Sequence, residues 1–177
     1  MDQMNLKKVV VIGHSLGGAV AMLFALKYPE MVEKLILVAP CPVDGLPTPT
    51  ENLPYLALYK TSRTLLKRSI RGLLPTLKDK KFLEALADDA LKMNPDSIYP
   101  HVEELGKFNV VDLVKNNFVP TIIVFGDMDP LLTYSQMEKT AKTLGAKLAV
   151  LNGVGHTPFV EKTDLFVQII EDFLGGA

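Results

Sequence analysis

Short runs of β-branched and other apolar residues alternate with longer apolar stretches along this chain. The short runs are apolar on both faces, as expected of parallel strands covered by helices on both sides. They predict strands at residues 7–13, 34–39, 120–126 and 147–151. The longer stretches predict helices at residues 16–28, 136–144 and 163–174. This order of elements indicates an α/β fold with a mostly parallel sheet of about four strands.

The second and third predicted strands are separated by a long insertion, residues 41–116. It opens with a proline-rich stretch, and helical patterns follow at residues 55–66, 77–93 and 101–113. Because an insertion of this length is rarely a structureless loop, we interpret it as a helical cap or lid. The core of the fold is then expected to comprise residues 1–40 and 117–177. A lid packed over the sheet would line an acyl or aromatic pocket.

Composition narrows the classes of function. The chain has 177 residues, 48% of them apolar and 22% charged, with a net charge of −1. This balance does not favour nucleic acid or an anionic membrane surface as partner. No apolar run reaches the roughly 18 residues that span a bilayer, and residues 1–6 do not resemble a signal peptide. With one cysteine and no metal-ligand spacing, we expect a cytoplasmic protein without a metal site.

Six residues with the letters GHSLGG follow the first predicted strand and open the first predicted helix. Gly13, Ser15 and Gly17 fit the pattern G-x-S-x-G in the strand–turn–helix context that this motif requires. A serine on such a sharp turn is exposed, and bulky residues two positions to either side are expected to clash. The alternative is a glycine-rich turn with an incidental serine.

A serine hydroxyl needs a base to take its proton and a third group to orient that base. The candidate base is His156, in a loop after the fourth predicted strand. Two aspartates, Asp127 and Asp129, follow the third strand. We favour Asp129 as the orienting acid and expect Asp127 to be a turn carboxylate, while Asp44 is a remote third candidate.

The chain order Ser15, Asp129, His156 is the order of the α/β-hydrolase topology. With the segments VVVIGHSLGG, YPEMVEKLILVAP, PTIIVFGDMDP and GHTPFVEKTDLF, the chain resembles the C-terminal part of α/β-hydrolase-fold serine esterases and C–C-bond hydrolases. The resemblance implies a truncated α/β-hydrolase fold in which Ser15 is the nucleophile, Asp129 the acid and His156 the base. It also implies that the Leu16 N–H binds the oxyanion and that no cofactor is needed. A serine and not an aspartate at position 15, the nucleophile elbow between strand and helix, argues against the dehalogenase and epoxide-hydrolase branches.

The resemblance implies hydrolysis of a small-molecule carboxylic ester. The alternatives are a C–C-bond hydrolase or perhydrolase with the same triad, or an inactive module that serves binding or assembly. Family members carry further strands before the elbow, and their second oxyanion donor comes from a loop among those strands. We therefore expect an uncovered edge at residues 8–13, which a second copy covers in a homodimer. The other interpretation is that the chain is a fragment of a longer hydrolase.

Three further residues carry possible chemistry. His14 lies beside Ser15, and we expect it to pack and form hydrogen bonds rather than to catalyse. His101 is expected to be an exposed residue at a helix start. Cys41 is expected to be a small buried apolar side chain and not a second nucleophile.

Overall fold

The sheet of this protein has four parallel strands. The computed structural model describes residues 5–114 and 119–175. The strands are β1 (Val9–His14), β2 (Val32–Val38), β3 (Thr121–Gly126) and β4 (Lys147–Leu151), in the spatial order β1-β2-β3-β4. All three pairings are parallel. The predicted α/β class and four-strand sheet are confirmed, with strand ends shifted by at most two residues.

The carboxyl ends of all four strands meet at one edge of the sheet. His14 pairs with Val38, Val38 with Val124, and Gly126 with Leu151. The segments that leave these strands therefore begin side by side. Functional groups of open α/β folds collect at this edge.

Eight α-helices accompany the sheet in the described part of the chain. They are α1 (Leu16–Lys27), α2 (Leu53–Leu58), α3 (Arg63–Leu73), α4 (Lys80–Ala90), α5 (Ile98–Lys107), α6 (Tyr134–Leu144), α7 (Pro158–Glu161) and α8 (Thr163–Gly175). The helix α6 has clear sequence signals, since Thr133 and Gln136 form a capping box and Gly145 ends the helix at φ 62°. The short helix α7 was not predicted from the sequence.

Each face of the sheet is covered by its own apolar cluster. On one face, α1 and α6 contribute Met22 and Met137, which pack with Leu37 and Phe125 of the strands. On the other face, Ile170 of α8 packs against strand residues that include Ile36, Val38 and Val124. Complete burial of each such side chain contributes about 1.5–3 kcal/mol. This double coverage explains why the strands are apolar on both faces.

The segment between β2 and β3 is helical, but its helices differ from the predicted ones. The predicted helix at residues 55–66 is two helices, α2 and α3, because Ser62 caps α3 by accepting a hydrogen bond from Leu65 N at 3.2 Å. Asp79 likewise caps α4 by accepting from Lys81 N and Phe82 N, so this helix begins later than predicted. The helix α5 begins before residue 101 and ends before residue 113. The predicted domain boundary at residues 116 and 117 lies outside the described residues.

The free edge of β1 and the outer face of α1 expose large apolar side chains. Within the described residues, β1 pairs with β2 alone. Ile12 is 58% exposed and Val20 is 61% exposed, although the sequence around each of them is apolar, a pattern typical of buried segments. Val10 and Leu23 are exposed as well. An exposed strand edge flanked by apolar side chains is a surface that favours pairing with another chain.

Candidate active site

The turn between β1 and α1 holds Ser15 in a strained conformation. Ser15 has φ 53° and ψ −120°, which is unfavourable for a residue with a side chain. Its backbone is fixed on both sides. Ser15 N donates to Val38 O at 3.0 Å, and Ser15 O accepts from Gly18 N at 2.9 Å and from Cys41 N at 3.2 Å. The turn therefore presents the serine at the carboxyl edge of the sheet, as the motif predicts.

Two glycines of the segment GHSLGG allow the turn to pack closely, and one of them, Gly13, is a glycine that we predicted. A Cβ on Gly13 would lie 2.4 Å from Gly17 O, so that position requires glycine. A Cβ on Gly17 would meet nothing within 4 Å, and the predicted clash there is wrong. The close approach occurs instead at Gly18, where a Cβ would lie 2.6 Å from Pro40 Cβ. The segment after β2 thus packs directly against the start of α1.

Three polar side chains form a continuous chain of hydrogen bonds at this edge. Ser15 Oγ lies 2.9 Å from His156 Nε2, and His156 Nδ1 lies 2.7 Å from Asp129 Oδ2. The side chains of His156 and Asp129 are 5% and 0% exposed. Because a carboxylate only accepts, Nδ1 carries the proton and Nε2 is free to accept from the Ser15 hydroxyl. The arrangement can therefore take a proton from a serine.

The three candidate carboxylates have different surroundings. Asp129 contacts the histidine, and its other oxygen accepts from Leu131 N at 2.8 Å and Leu132 N at 3.2 Å. Asp127 accepts from Gly153 N at 2.6 Å and so holds the loop after β4. Asp44 pairs with Lys139 at 2.5 Å. Of the three, the structure brings only Asp129 to His156.

His14 packs against the back of the candidate base. Its Nε2 donates to the backbone carbonyl of His156 at 2.9 Å, and its ring contacts those of His156 and Phe159. Burial lowers the pKa of His14 below its ordinary value, because a buried imidazole loses the hydration that stabilises its charged form. It helps to fix the position of His156, as expected of a packing residue. His101 is exposed inside α5, not at a helix start.

Cys41 is buried and its thiol is not reactive. The residue is 2% exposed. Burial, with a smaller contribution from the Asp44 carboxylate, raises the pKa of Cys41 to about 12. Since the thiolate is the nucleophilic form, this side chain is chemically inert near neutral pH. The prediction of a small buried apolar residue is confirmed.

The backbone N–H of Leu16 lies at the start of α1, beside Ser15. Leu16 is the first residue of the helix, so its N–H has no acceptor within the helix and lies at the positive end of the helix dipole. It follows Ser15 directly in the chain, so it lies where it can donate to a negatively charged oxygen beside the serine. In the described ranges, no group of three or more His, Cys, Asp or Glu side chains is arranged to hold a metal ion.

A cavity of about 660 Å³ lies between α3, α4 and the loop that joins them. Its lining includes Lys67, Arg71, Thr76 and Leu83, but none of Ser15, Asp129 and His156. This cavity is therefore a feature of the helical segment and not the place where the serine and histidine meet.

Two polar residues that connect to the loop of His156 were not predicted from the sequence. Glu161 accepts hydrogen bonds from Gly155 N at 2.9 Å and from the backbone and hydroxyl of Thr76. Glu161 lies five residues after His156 in the segment GHTPFVE. Its position close to the candidate base in the sequence could have pointed to it. Nothing in the sequence pointed to Thr76.

No helix in the described part of the chain is both long and apolar enough to cross a membrane.

Two curated relatives match nearly the whole chain. The 2-hydroxy-6-oxononadienedioate/2-hydroxy-6-oxononatrienedioate hydrolase of a Pseudomonas species is 29% identical over 98% of this chain and 65% of its own length. A putative esterase/lipase of Haemophilus influenzae is 27% identical over 97% of this chain and 62% of its own length. The chain therefore spans less than two thirds of the length of either protein.

Solved structures show the same fold. The esterase from Exiguobacterium antarcticum superposes with a TM-score of 0.86 at 17% identity, over 98% of this chain and 69% of that one. The 2-hydroxy-6-oxo-6-phenylhexa-2,4-dienoate hydrolase from Rhodococcus sp. strain RHA1 superposes with a TM-score of 0.83 at 18% identity, over 98% and 66% of the two chains. The family model described as serine aminopeptidase, S33 matches residues 1–163. The chain thus belongs to the serine aminopeptidase S33 family and has the α/β-hydrolase fold.

Proposed function

We propose that this protein is a serine hydrolase that cleaves small carboxylic esters through an acyl-enzyme. The observation that carries the proposal is the unbroken chain of hydrogen bonds from Ser15 through His156 to Asp129. Membership of a hydrolase family and the similarity to a putative esterase/lipase support the reaction class. Ser15 is the nucleophile, His156 the general base and Asp129 the group that orients the imidazole.

The geometry accounts for each step. Ser15 Oγ attacks the ester carbonyl carbon while its proton passes to His156 Nε2. The buried Asp129 carboxylate stabilises the imidazolium, and the Leu16 N–H donates to the oxyanion of the tetrahedral intermediate. When the intermediate collapses, Nε2 returns the proton to the leaving alkoxide and Ser15 keeps the acyl group. Water, deprotonated by the same nitrogen, then attacks the acyl carbon and regenerates Ser15 with release of the carboxylic acid.

The helical segment at residues 41–116 acts in this proposal as a cap on a core formed by residues 1–40 and 117–177. The supporting contact lies between the end of α3 and the loop that carries His156, where Leu73 O accepts from His156 N at 2.8 Å. A cap in this position limits access to the serine and sets which acyl groups enter.

A panel of p-nitrophenyl esters tests the proposed function. We expect release of p-nitrophenol from the acetate and butyrate esters above the spontaneous rate, with saturation at rising substrate concentration. The spontaneous rate is measured with heat-unfolded protein at the same concentration. If the folded protein gives no more product than this control with any ester of the panel, it is not an esterase, and the alternative of a binding or assembly module gains support.

Hydrolysis of a C–C bond is the second candidate, because one curated relative is a hydrolase of 2-hydroxy-6-oxo dienedioates. The same triad serves both reactions, so the structure of the triad does not separate them. The ratio of kcat/KM for p-nitrophenyl acetate and for a 2-hydroxy-6-oxo dienoate separates them directly. We expect this ratio to favour the ester, and a ratio that favours the dienoate would assign the protein to the second class.

We further propose a homodimer formed through residues 8–13. A two-fold axis beside β1 would pair this strand with its copy in an antiparallel ladder and cover Ile12 and Val20. The exposure of these side chains supports the proposal.

Light scattering coupled to gel filtration at micromolar concentration tests the dimer. We expect the mass of two chains for the wild type and of one chain for Ile12→Lys, which places a charge on the strand edge. Leu113→Lys is the matched control, because Leu113 is a 65% exposed leucine far from β1 in the chain, and it should remain dimeric. A stable wild-type monomer contradicts the proposal.

A further inference from the structure

The loop that carries His156 is held by the helical insertion as well as by the sheet. The backbone N–H of His156 donates to the carbonyl of Leu73, the last residue of α3, at 2.8 Å. His156 and Leu73 are 83 residues apart in sequence. Strands β3 and β4 fix one side of this loop, and the end of α3 fixes the other.

Glu161 forms a second connection at the same place. One carboxylate oxygen accepts from Gly155 N at 2.9 Å. The other accepts from Thr76 N at 3.0 Å and from the Thr76 hydroxyl at 2.6 Å. A single carboxylate thus joins the residue before the histidine to the loop between α3 and α4. Hydrogen bonds to a charged acceptor are about twice as strong as neutral ones.

The contact between the two loops leaves no room for a side chain at Gly155. A Cβ on Gly155 would lie 2.3 Å from Pro75 Cδ and 2.5 Å from Leu73 O. Since Gly155 does not have a positive φ, it is the contact with the insertion and not a backbone conformation that requires glycine here. The backbone N–H of His156 thus donates directly to the insertion. The backbone N–H of Gly155 donates to Glu161, whose other carboxylate oxygen accepts from the insertion.

We propose that Thr76 and Glu161 are positioning residues for catalysis. With Leu73 and Gly155 they form a clamp, here called the insertion–histidine clamp, that sets where His156 Nε2 stands relative to Ser15 Oγ. This inference rests on the proposed function of His156 as the base. An error of about 1 Å in the placement of a catalytic group costs up to about 100-fold in rate, so the clamp acts on kcat and leaves ground-state binding nearly unchanged.

The isosteric substitution Thr76→Val removes the hydroxyl and its 2.6 Å bond to Glu161 but keeps the backbone N–H. We expect kcat for p-nitrophenyl butyrate to fall by about tenfold with KM changed less than about twofold. Thr76→Ser restores the hydroxyl and is expected to restore kcat. Glu161→Ala removes the acceptor for all three donors and is expected to lower kcat by about 100-fold. Thr61→Val removes an exposed threonine hydroxyl elsewhere in the insertion and should behave as the wild type.

A second readout does not depend on activity. The chain has three histidines, so the imidazole signals in a proton–nitrogen spectrum are assignable from variants at each. We expect a low-field His156 Nδ1–H signal, from the bond to Asp129, in the wild type, Thr76→Ser and Thr61→Val. In Thr76→Val and Glu161→Ala that signal should shift or broaden.

The outcomes separate the two hypotheses. A wild type without esterase activity overturns the proposed function, and the histidine signal of Thr76→Val then still decides whether the clamp positions the imidazole. An unchanged signal and an unchanged kcat in folded Thr76→Val overturn the clamp. A rise in KM alone overturns it too, because that result assigns Thr76 to substrate binding. If Thr76→Val fails to fold, Glu161→Gln takes its place, since it keeps one acceptor oxygen and loses the other.

Discussion

Replacement of Ser15 with alanine is expected to lower kcat for p-nitrophenyl acetate by on the order of 10⁶-fold, leaving a small rate above that of the spontaneous reaction. The hydroxyl is 2.9 Å from His156 Nε2, and without it no acyl-enzyme forms. The imidazole can then only activate water, and the oxyanion donor alone gives a small residual rate. Initial rates at saturating substrate measure the effect.

Two controls accompany this variant. Ser135→Ala removes an exposed serine of α6 and is expected to keep the wild-type rate. The thermal unfolding midpoint of Ser15→Ala should lie close to that of the wild type, because the side chain is small and the backbone bonds of the turn remain. A folded Ser15→Ala protein that hydrolyses the ester at the wild-type rate would exclude Ser15 as the nucleophile.

Substitution of Asp129 by asparagine is expected to lower kcat by about 10⁴-fold with little change in the fold. The backbone N–H groups of Leu131 and Leu132 donate to Asp129 Oδ1, so the single oxygen of an asparagine must occupy that place. Its amide group then faces His156 Nδ1 as a donor, and the imidazole must carry its proton on Nε2. In that tautomer Nε2 no longer accepts the proton of Ser15.

Asp127→Asn is the matched control for this prediction. Asp127 lies two residues away and accepts from Gly153 N, and an asparagine oxygen can keep that bond. We therefore expect kcat within a few fold of the wild type. If Asp127→Asn were the more damaging change of the two, the assignment of the acid to Asp129 would be wrong. Both variants are compared by initial rates over the same pH range.

The parts of the fold that follow from local sequence were predictable. The strands were found because β-branched runs covered by helices on both faces leave a continuous apolar pattern, as at residues 120–126. The helices of the insertion were misplaced because their boundaries depend on single capping side chains. Ser62 starts a new helix inside the stretch at residues 55–66, which the sequence analysis predicts as one helix.

In the candidate site, too, some features were predictable from local sequence and others were not. Ser15, Asp129 and His156 were predicted to be neighbours because each lies in the segment that follows a predicted strand, and parallel strands bring such segments to one edge. The contact of Glu161 with Thr76 joins residues 85 apart, in a segment without its own pattern. Gly18 and not Gly17 lacks room for a side chain because Pro40 packs against Gly18. Such contacts are set by three-dimensional packing and leave no periodic signal.

Covalent labelling with a fluorophosphonate tests the central claim most directly, because the reagent captures a serine only when a base has activated it. The protein is incubated with the reagent, digested, and analysed by peptide mass spectrometry. We expect one phosphonylated residue, Ser15, with labelling abolished in Ser15→Ala and strongly slowed in Asp129→Asn. A folded protein that remains unlabelled at Ser15, or that carries the adduct on another residue, would contradict the account.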